Sequence, residues 1–244
     1  MLTQTHLAQK LGERPFKFFP SITSTQNEAL EWLKNGAPQG TVVIADEQTA
    51  GRGRMGRTWH TPAGVALAMS VILKPSTSGA KHIFMAGGVA VAELLEGLDI
   101  PNISIKWAND VRIDGKKVSG ILPEAIWEGD KLQGVVLGIG VNVRVDFTNS
   151  ELATIATSIE TVLNRRCDRA DLLTMLLARL DYWSNRLGSD ELFQAWRSRL
   201  DTLGRVVTVD GITGTATDVT YEGALVIQKS DGTTHTVIAG DISS

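Results

Sequence analysis

The chain has 244 residues, of which 43% are hydrophobic and 21% charged, enough to bury one large core with a small appendage. Its net charge of −3 offers no general attraction to nucleic acid or to an anionic membrane. The single cysteine, Cys167, excludes an internal disulfide and suits a reducing cytoplasm. Residues 1–20 hold no apolar core of signal-peptide length, and the longest apolar run, 64–73, is too short for a membrane span. These features predict a soluble, cytoplasmic protein.

In chain order, residues 7–12 have the look of half a helix-turn-helix, but Pro15 follows too soon for a recognition helix. Thr25 and Glu28 have capping-box spacing ahead of a helix carrying Ala29, Leu30 and Leu33 on one face and stopped at Gly36. Ser24 and Thr25 either only cap this helix or, with the amide of Gln26, help its N-terminus bind a small polar ligand. Residues 41–45 and 65–73 read as buried strands, 83–98 as a helix that Gly87 and Gly88 let pack closely, and 103–107 as a third strand. Asp114-Gly115 has hairpin-turn chemistry, and 135–143 is a buried strand whose Gly138 and Gly140 imply close backbone approach. Two amphipathic helices follow, at 171–187 and 189–203. From Arg205 onward, short alternating runs cut by Asp-Gly and Glu-Gly pairs predict a small five-stranded barrel. The expected division is a catalytic domain at 1–203 and a barrel at 204–244. The second part carries two basic and five acidic side chains, so residues 1–203 sum to zero.

Between the first two strands lies Gln48-Thr49-Ala50-Gly51-Arg52-Gly53-Arg54-Met55-Gly56-Arg57-Thr58-Trp59, with three arginines in six residues. Glycine lets backbone approach a ligand closely, and the arginine fork grips phosphate or carboxylate with paired hydrogen bonds. The segment reads either as a solvated basic loop or as one ordered by an arriving anion. It matches the G-x-G-x-x-G string and nearly matches a P-loop. Both motifs need a helix immediately afterwards, whereas Trp59-His60-Thr61-Pro62 and a β-like run follow here. Lys106-Trp107-Ala108-Asn109-Asp110 and Lys117 add cations from two further segments. The four histidines are scattered and Cys167 stands alone, so metal-ligand spacing is absent and no nucleophilic triad can be assembled. What remains is catalysis by positioning and charge neutralisation around an attacked phosphorus atom, with magnesium carried in on nucleotide phosphates.

Ser24-Thr25-Gln26, the 48–59 loop, Lys106-Trp107-Ala108-Asn109-Asp110, Lys117-Val118-Ser119-Gly120-Ile121-Leu122 and Gly138-Ile139-Gly140-Val141-Asn142 occur in that order. Together they resemble the biotin–protein ligase (biotin–[acetyl-CoA-carboxylase] ligase) family. The resemblance implies an α/β (α+β) fold with a mixed sheet and flanking helices, like class II aminoacyl-tRNA synthetases, plus a C-terminal SH3-like β-barrel. It also implies that biotin and ATP, with Mg2+, form biotinyl-5′-AMP, from which biotin passes to a lysine of a biotin carboxyl carrier domain. The biotin-binding residues it implies are Ser24, Thr25, Gln26, Gln48, Arg52, Gly53, Arg54, Lys106 and Gly120. Arg54, Arg57, Trp59, Asn109, Lys117 and Asn142 would bind nucleotide, and Lys106 and Arg54 would be catalytic. No protein-held metal, nucleic acid or membrane is expected, and homodimerisation rests on family analogy alone. The stretch before Ser21 is too short for the winged helix of repressor relatives, so a ligase without repressor activity is expected. Gln26 stands where the family usually has asparagine, and Ala108 where it usually has proline. The nearest rival is a lipoate- or octanoate-transferring relative, against which the arginine–glycine loop speaks. A nucleic-acid module using the basic loop is the rival from another class, and the neutral overall charge opposes it.

Overall fold

The structure, a computed structural model, describes residues 2–242. Its elements run α1 (Gln4–Leu11), β1 (Phe16–Phe19), α2 (Thr25–Lys34), β2 (Val42–Ala45), β3 (Ala66–Leu73), α3 (Thr77–Ala80), α4 (Ile83–Glu96), β4 (Ile103–Lys106) and β5 (Asp110–Ile113). They continue as β6 (Lys116–Glu128), β7 (Lys131–Asn142), α5 (Ile159–Leu163), α6 (Arg169–Ser184), α7 (Asp190–Arg197), β8 (Val206–Val209), β9 (Ile212–Val219), β10 (Leu225–Gln228) and β11 (Thr234–Val237). The first seven strands form one mixed sheet in the order β1-β2-β3-β7-β6-β5-β4. Only β1 and β2 run parallel; every other neighbouring pair in it is antiparallel.

Side chains of a strand alternate between faces, and this alternation divides the central strands cleanly. On β7, Val135, Leu137, Ile139 and Val141 join the large core shared with α4 and α6. So do Leu67, Met69, Val71 and Leu73 of β3. The alternate residues face the other way, where Val136 and Ile72 pack with Ala29 and Leu33 of α2 in a smaller cluster. Past the apolar contacts of α2 that face carries few and small side chains: Ala68 and Ser70 on β3, Gly138 and Gly140 on β7, Gly120 on β6. A depression opens there because the sequence has nothing to fill it. On the opposite face, close helix packing requires a glycine, since a Cβ at Gly87 of α4 would lie 2.9 Å from Ile121 Cγ2.

The last four strands form a separate antiparallel sheet in the order β11-β10-β9-β8, four strands among the described residues where the sequence pattern predicts five. The expected second domain, 204–244, ends on two residues that lie outside the described ones. Trp107 seats this sheet beside the end of β4: its Nε1 donates to Gly223 O at 2.8 Å and its backbone N to Thr202 Oγ1 at 3.0 Å. Asp241 and Ile242 are thereby brought to the rim of the depression.

Some local expectations change. Ser24, not Thr25, caps α2, accepting from Gln26 N at 3.3 Å, and Glu28 pairs with Lys17 instead of closing a capping box. The helix read over 189–203 ends at Arg197, because Leu200 is drawn into a bridge beside Ile105. β1 escapes the sequence reading: Phe16-Lys17-Phe18-Phe19 is short, and all four residues are only half-buried at the sheet edge.

Candidate functional site

Register places the floor of the site. Lys106 pairs with Asp110, Asp110 with Gly120, Gly120 with Gly140 and Gly140 with Ala68, so these residues form one row across a single face of the sheet. The next row is Ser70, Gly138 and Leu122. Directly paired residues share a face, and the strand-end lysine therefore looks along a floor of glycines. The floor admits no side chain. A Cβ at Gly138 would lie 2.6 Å from Gln26 Oε1, and one at Gly140 only 2.3 Å from Trp59 Nε1. Above the floor is a cavity of about 170 Å³.

The N-terminus of α2 closes one end with polar groups. Gln48 Oε1 accepts from the Thr25 backbone N at 2.9 Å and from Thr25 Oγ1 at 3.1 Å, while Gln48 Nε2 donates to Thr61 Oγ1 at 3.2 Å. The Ser70 hydroxyl lies 2.9 Å from both Thr25 Oγ1 and Gln26 Oε1. Gln26 is buried, and its amide donates to the carbonyls of Val136 and Leu122 at 3.2 and 3.3 Å. Its longer side chain is thus anchored to the floor, which answers what becomes of the departure from asparagine. Ser24, Thr25, Gln26 and Gln48 all line the cavity.

The arginine–glycine loop borders the cavity, in the place where a lid would lie. Trp59 N donates to Gly51 O, and Gly53 N to Arg57 O, both at 2.8 Å, folding the loop back on itself like a hairpin. Met55 at φ 53° and Gly56 at φ 73° make its tip. The anions that its arginines meet belong to the chain. Arg52 reaches Glu124 Oε1 at 2.5 Å and Asn27 Oδ1 at 2.9 Å. Arg57 meets both carboxylate oxygens of Asp241, at 2.5 and 2.6 Å. Arg54 donates to Asn109 Oδ1 at 2.7 Å and to Gly240 O at 3.2 Å. Trp59 lies against the floor glycines, its Nε1 buried without a hydrogen-bond partner.

At the far end Lys106 Nζ donates to Ile242 O at 2.9 Å. Burial, and next the neighbouring Arg112 guanidinium, lowers its pKa below the ordinary lysine value, so the ammonium is easier to discharge than a surface lysine's. Lys117 pairs with Asp110 at 2.8 Å and its ammonium lies 5.4 Å from the Trp59 ring centre. Asn109, fixed by donation to Ile121 O at 2.6 Å, completes this end. Of the residues singled out from sequence, Arg52, Gly53, Arg54, Arg57, Trp59, Lys106, Asn109, Lys117 and Gly120 line one cavity with the four at the α2 end. Asn142 does not. It is buried, with its amide spent on Thr157 O at 3.1 Å. Sequence reasoning gave no role to Ser70 and Asp241 at the cavity or to Asn27 and Glu124 beside the arginine loop, and it quoted Asp110 only as the last member of the lysine–tryptophan motif. Ser70 had a signal of its own, a polar residue in an otherwise apolar buried strand. Among the described residues, no three His, Cys, Asp or Glu side chains gather as a metal site.

Comparison with known proteins gives a consistent picture. The Biotin/lipoate A/B protein ligase family profile matches residues 18–142, and the Biotin protein ligase C terminal domain profile matches 202–243. The chain is 36% identical over 223 residues to the bifunctional ligase/repressor BirA of Bacillus subtilis, covering 86% of this chain and 68% of that one. It is 33% identical to the biotin–[acetyl-CoA-carboxylase] ligase of Paracoccus denitrificans, covering 86% and 92% respectively. Among solved structures, the biotin protein ligase of Aquifex aeolicus in complex with biotin and ATP superposes with a TM-score of 0.81 at 30% identity, over 94% of this chain and 97% of that one.

Proposed function

The chain belongs to the Biotin/lipoate A/B protein ligase family, and from that membership we infer an ATP-dependent biotin–protein ligase. It forms biotinyl-5′-AMP from biotin and ATP, then transfers biotin to an acceptor lysine. The observation that supports a division of labour is the single cavity shared by glycine floor, arginine lid and strand-end lysine.

In this reading biotin's ureido ring lies at the α2 end, where Ser24, Thr25 and Gln48 present hydroxyl and amide groups and Gln26 and Gly120 shape the wall. Biotin's carboxylate points along the floor toward Lys106. Among the described residues that ammonium donates to one backbone carbonyl, a partner that an anion displaces readily. The carboxylate attacks the α-phosphate of ATP; the new bond is a mixed anhydride and pyrophosphate leaves. Lys106 and Arg54 neutralise the charge that gathers on the phosphate in the transition state. Arg57, Trp59, Asn109 and Lys117 border the nucleotide, and Asn142 joins them only by turning its amide from Thr157. Arg52, Gly53 and Arg54 keep water from the anhydride until the acceptor lysine attacks its carbonyl carbon and AMP departs. The carboxylates at the cavity, Asp110 and Asp241, are each paired with a cation, so Mg2+ fits this site as a companion of the triphosphate. The acceptor is a biotin carboxyl carrier domain, the site of action is the cytoplasm, and the division at residue 203 separates the catalytic domain from a small β domain.

The test is direct. Incubation with biotin and α-labelled ATP should yield labelled biotinyl-AMP that depends on biotin and not on lipoate or octanoate. Label that forms equally with octanoate, or not at all, overturns the reading.

A further inference from the structure

Glu124 has no place in the chemistry above, yet its surroundings are unusual. It sits on β6 opposite Val136 of β7, behind the polar end of the cavity. One carboxylate oxygen takes the Arg52 guanidinium at 2.5 Å; the other, Oε2, is buried and has no hydrogen-bond partner. A buried carboxylate oxygen left without a donor is costly, so the position is not one that packing alone would favour. Arg52 divides its fork between Glu124 and Asn27 of α2, fastening the first arm of the lid to two elements of the scaffold. The rest of the loop is fastened elsewhere, through Arg54 just before the tip to Asn109 and through Arg57 just after it to Asp241. The lid therefore spans the cavity from a biotin side to a nucleotide side, with separate anchors on each.

We propose that Glu124 is a positioning residue for the ligase reaction: by holding Arg52 it latches the biotin side of the lid and keeps biotinyl-AMP enclosed between the two half-reactions. It touches no reacting atom. Its free oxygen lets the pair tighten from one hydrogen bond to the two-bond form that arginine and carboxylate prefer. The inference rests on the function proposed above. The latch is placed apart from Lys106, so its loss falls on retention of the intermediate more than on the rate at which the intermediate forms.

Two readouts separate the latch from that function. Trypsin acting on the ligand-free protein reports the lid directly, because Arg54 and Arg57 are cleavage sites within it. Glu124→Gln and Glu124→Ala should be cut there about five-fold faster than wild type, the size expected for one partly exposed ion pair. In the presence of biotin and ATP, the same variants should release biotinyl-AMP about five-fold faster, with a raised KM for biotin and little change in kcat for pyrophosphate exchange. Glu124→Ala should add nothing once Arg52→Ala is present, and the exchanged pair Arg52→Glu with Glu124→Arg should regain part of the retention. Wild-type cutting and release rates in Glu124→Gln overturn the latch, as do additive effects in the double variant. If Glu124→Ala fails to fold, Glu124→Gln and the exchanged pair still decide. A wild-type protein that makes no biotinyl-AMP overturns the function instead, while the trypsin comparison continues to read the latch.

Discussion

The floor and the lid of the cavity are built on opposite principles. The floor, Gly120, Gly138, Gly140, Ala68 and Ser70, is central sheet, backed by the large core and fixed by hydrogen bonds along whole strands. Its shape comes from side chains that are missing. The lid is exposed to half-buried and is held by the far ends of long side chains: Arg52 on Glu124, Arg54 on Asn109, Arg57 on Asp241. The two that are ion pairs, Arg52 with Glu124 and Arg57 with Asp241, are partly exposed, and pairs of this kind contribute about 1 kcal/mol or less apiece. A surface that must define a ligand's position is rigid, whereas one that must admit and release it is fastened by contacts weak enough to break.

The contrast predicts two kinds of lesion, and the largest belongs to the rigid side. Lys106→Ala should lower the rate of adenylation about 100- to 1,000-fold, as removal of one preorganised charge from a transition state does. Near-normal exchange of pyrophosphate into ATP would remove Lys106 from the catalytic role and blur the distinction. Gly140→Val comes next. Its side chain would occupy the seat of Trp59, and the KM for biotin should rise about 100-fold while thermal unfolding shows the sheet intact. A variant that binds biotin normally would mean that the floor is not the binding surface. On the lid, Arg54→Gly should lose the intermediate about ten-fold faster while adenylation persists, since it removes contacts to Asn109 and Gly240 together. An unchanged dissociation rate of biotinyl-AMP would refute the covering role. The smallest effect is one of pH. Charged Lys106 is the active form and its pKa is lowered, so adenylation should decline as pH rises through a value below that of an ordinary lysine. Lys106→Arg, if it retains activity, should shift that decline to higher pH; a limb that stays put belongs to another group.

The same division explains what could be read from the amino acids alone. The floor is legible, because Leu137-Gly138-Ile139-Gly140-Val141 alternates bulky and minimal residues with a strand's period of two. Lys106 is legible as a charge at a strand end, and register then places it. The lid is recognisable as an arginine–glycine string, but its partners are not: Glu124 lies 72 residues from Arg52, and Asp241 184 residues from Arg57. No local pattern links such pairs. The expectation of a loop ordered by an arriving anion met carboxylates that were already in the chain. The missed β1 has a related cause. Short edge strands take their identity from a neighbour, here β2, and carry little periodicity of their own.

The most direct test is a crystal structure with a non-hydrolysable biotinyl-AMP analogue. The account predicts the analogue between the Gly120–Gly140 row and the lid, with its ureido ring at Thr25 and Gln48 and its acyl phosphate within hydrogen-bonding reach of Lys106 and Arg54. An analogue seated outside this cavity, or one whose acyl phosphate leaves Lys106 still bonded to Ile242, would contradict it.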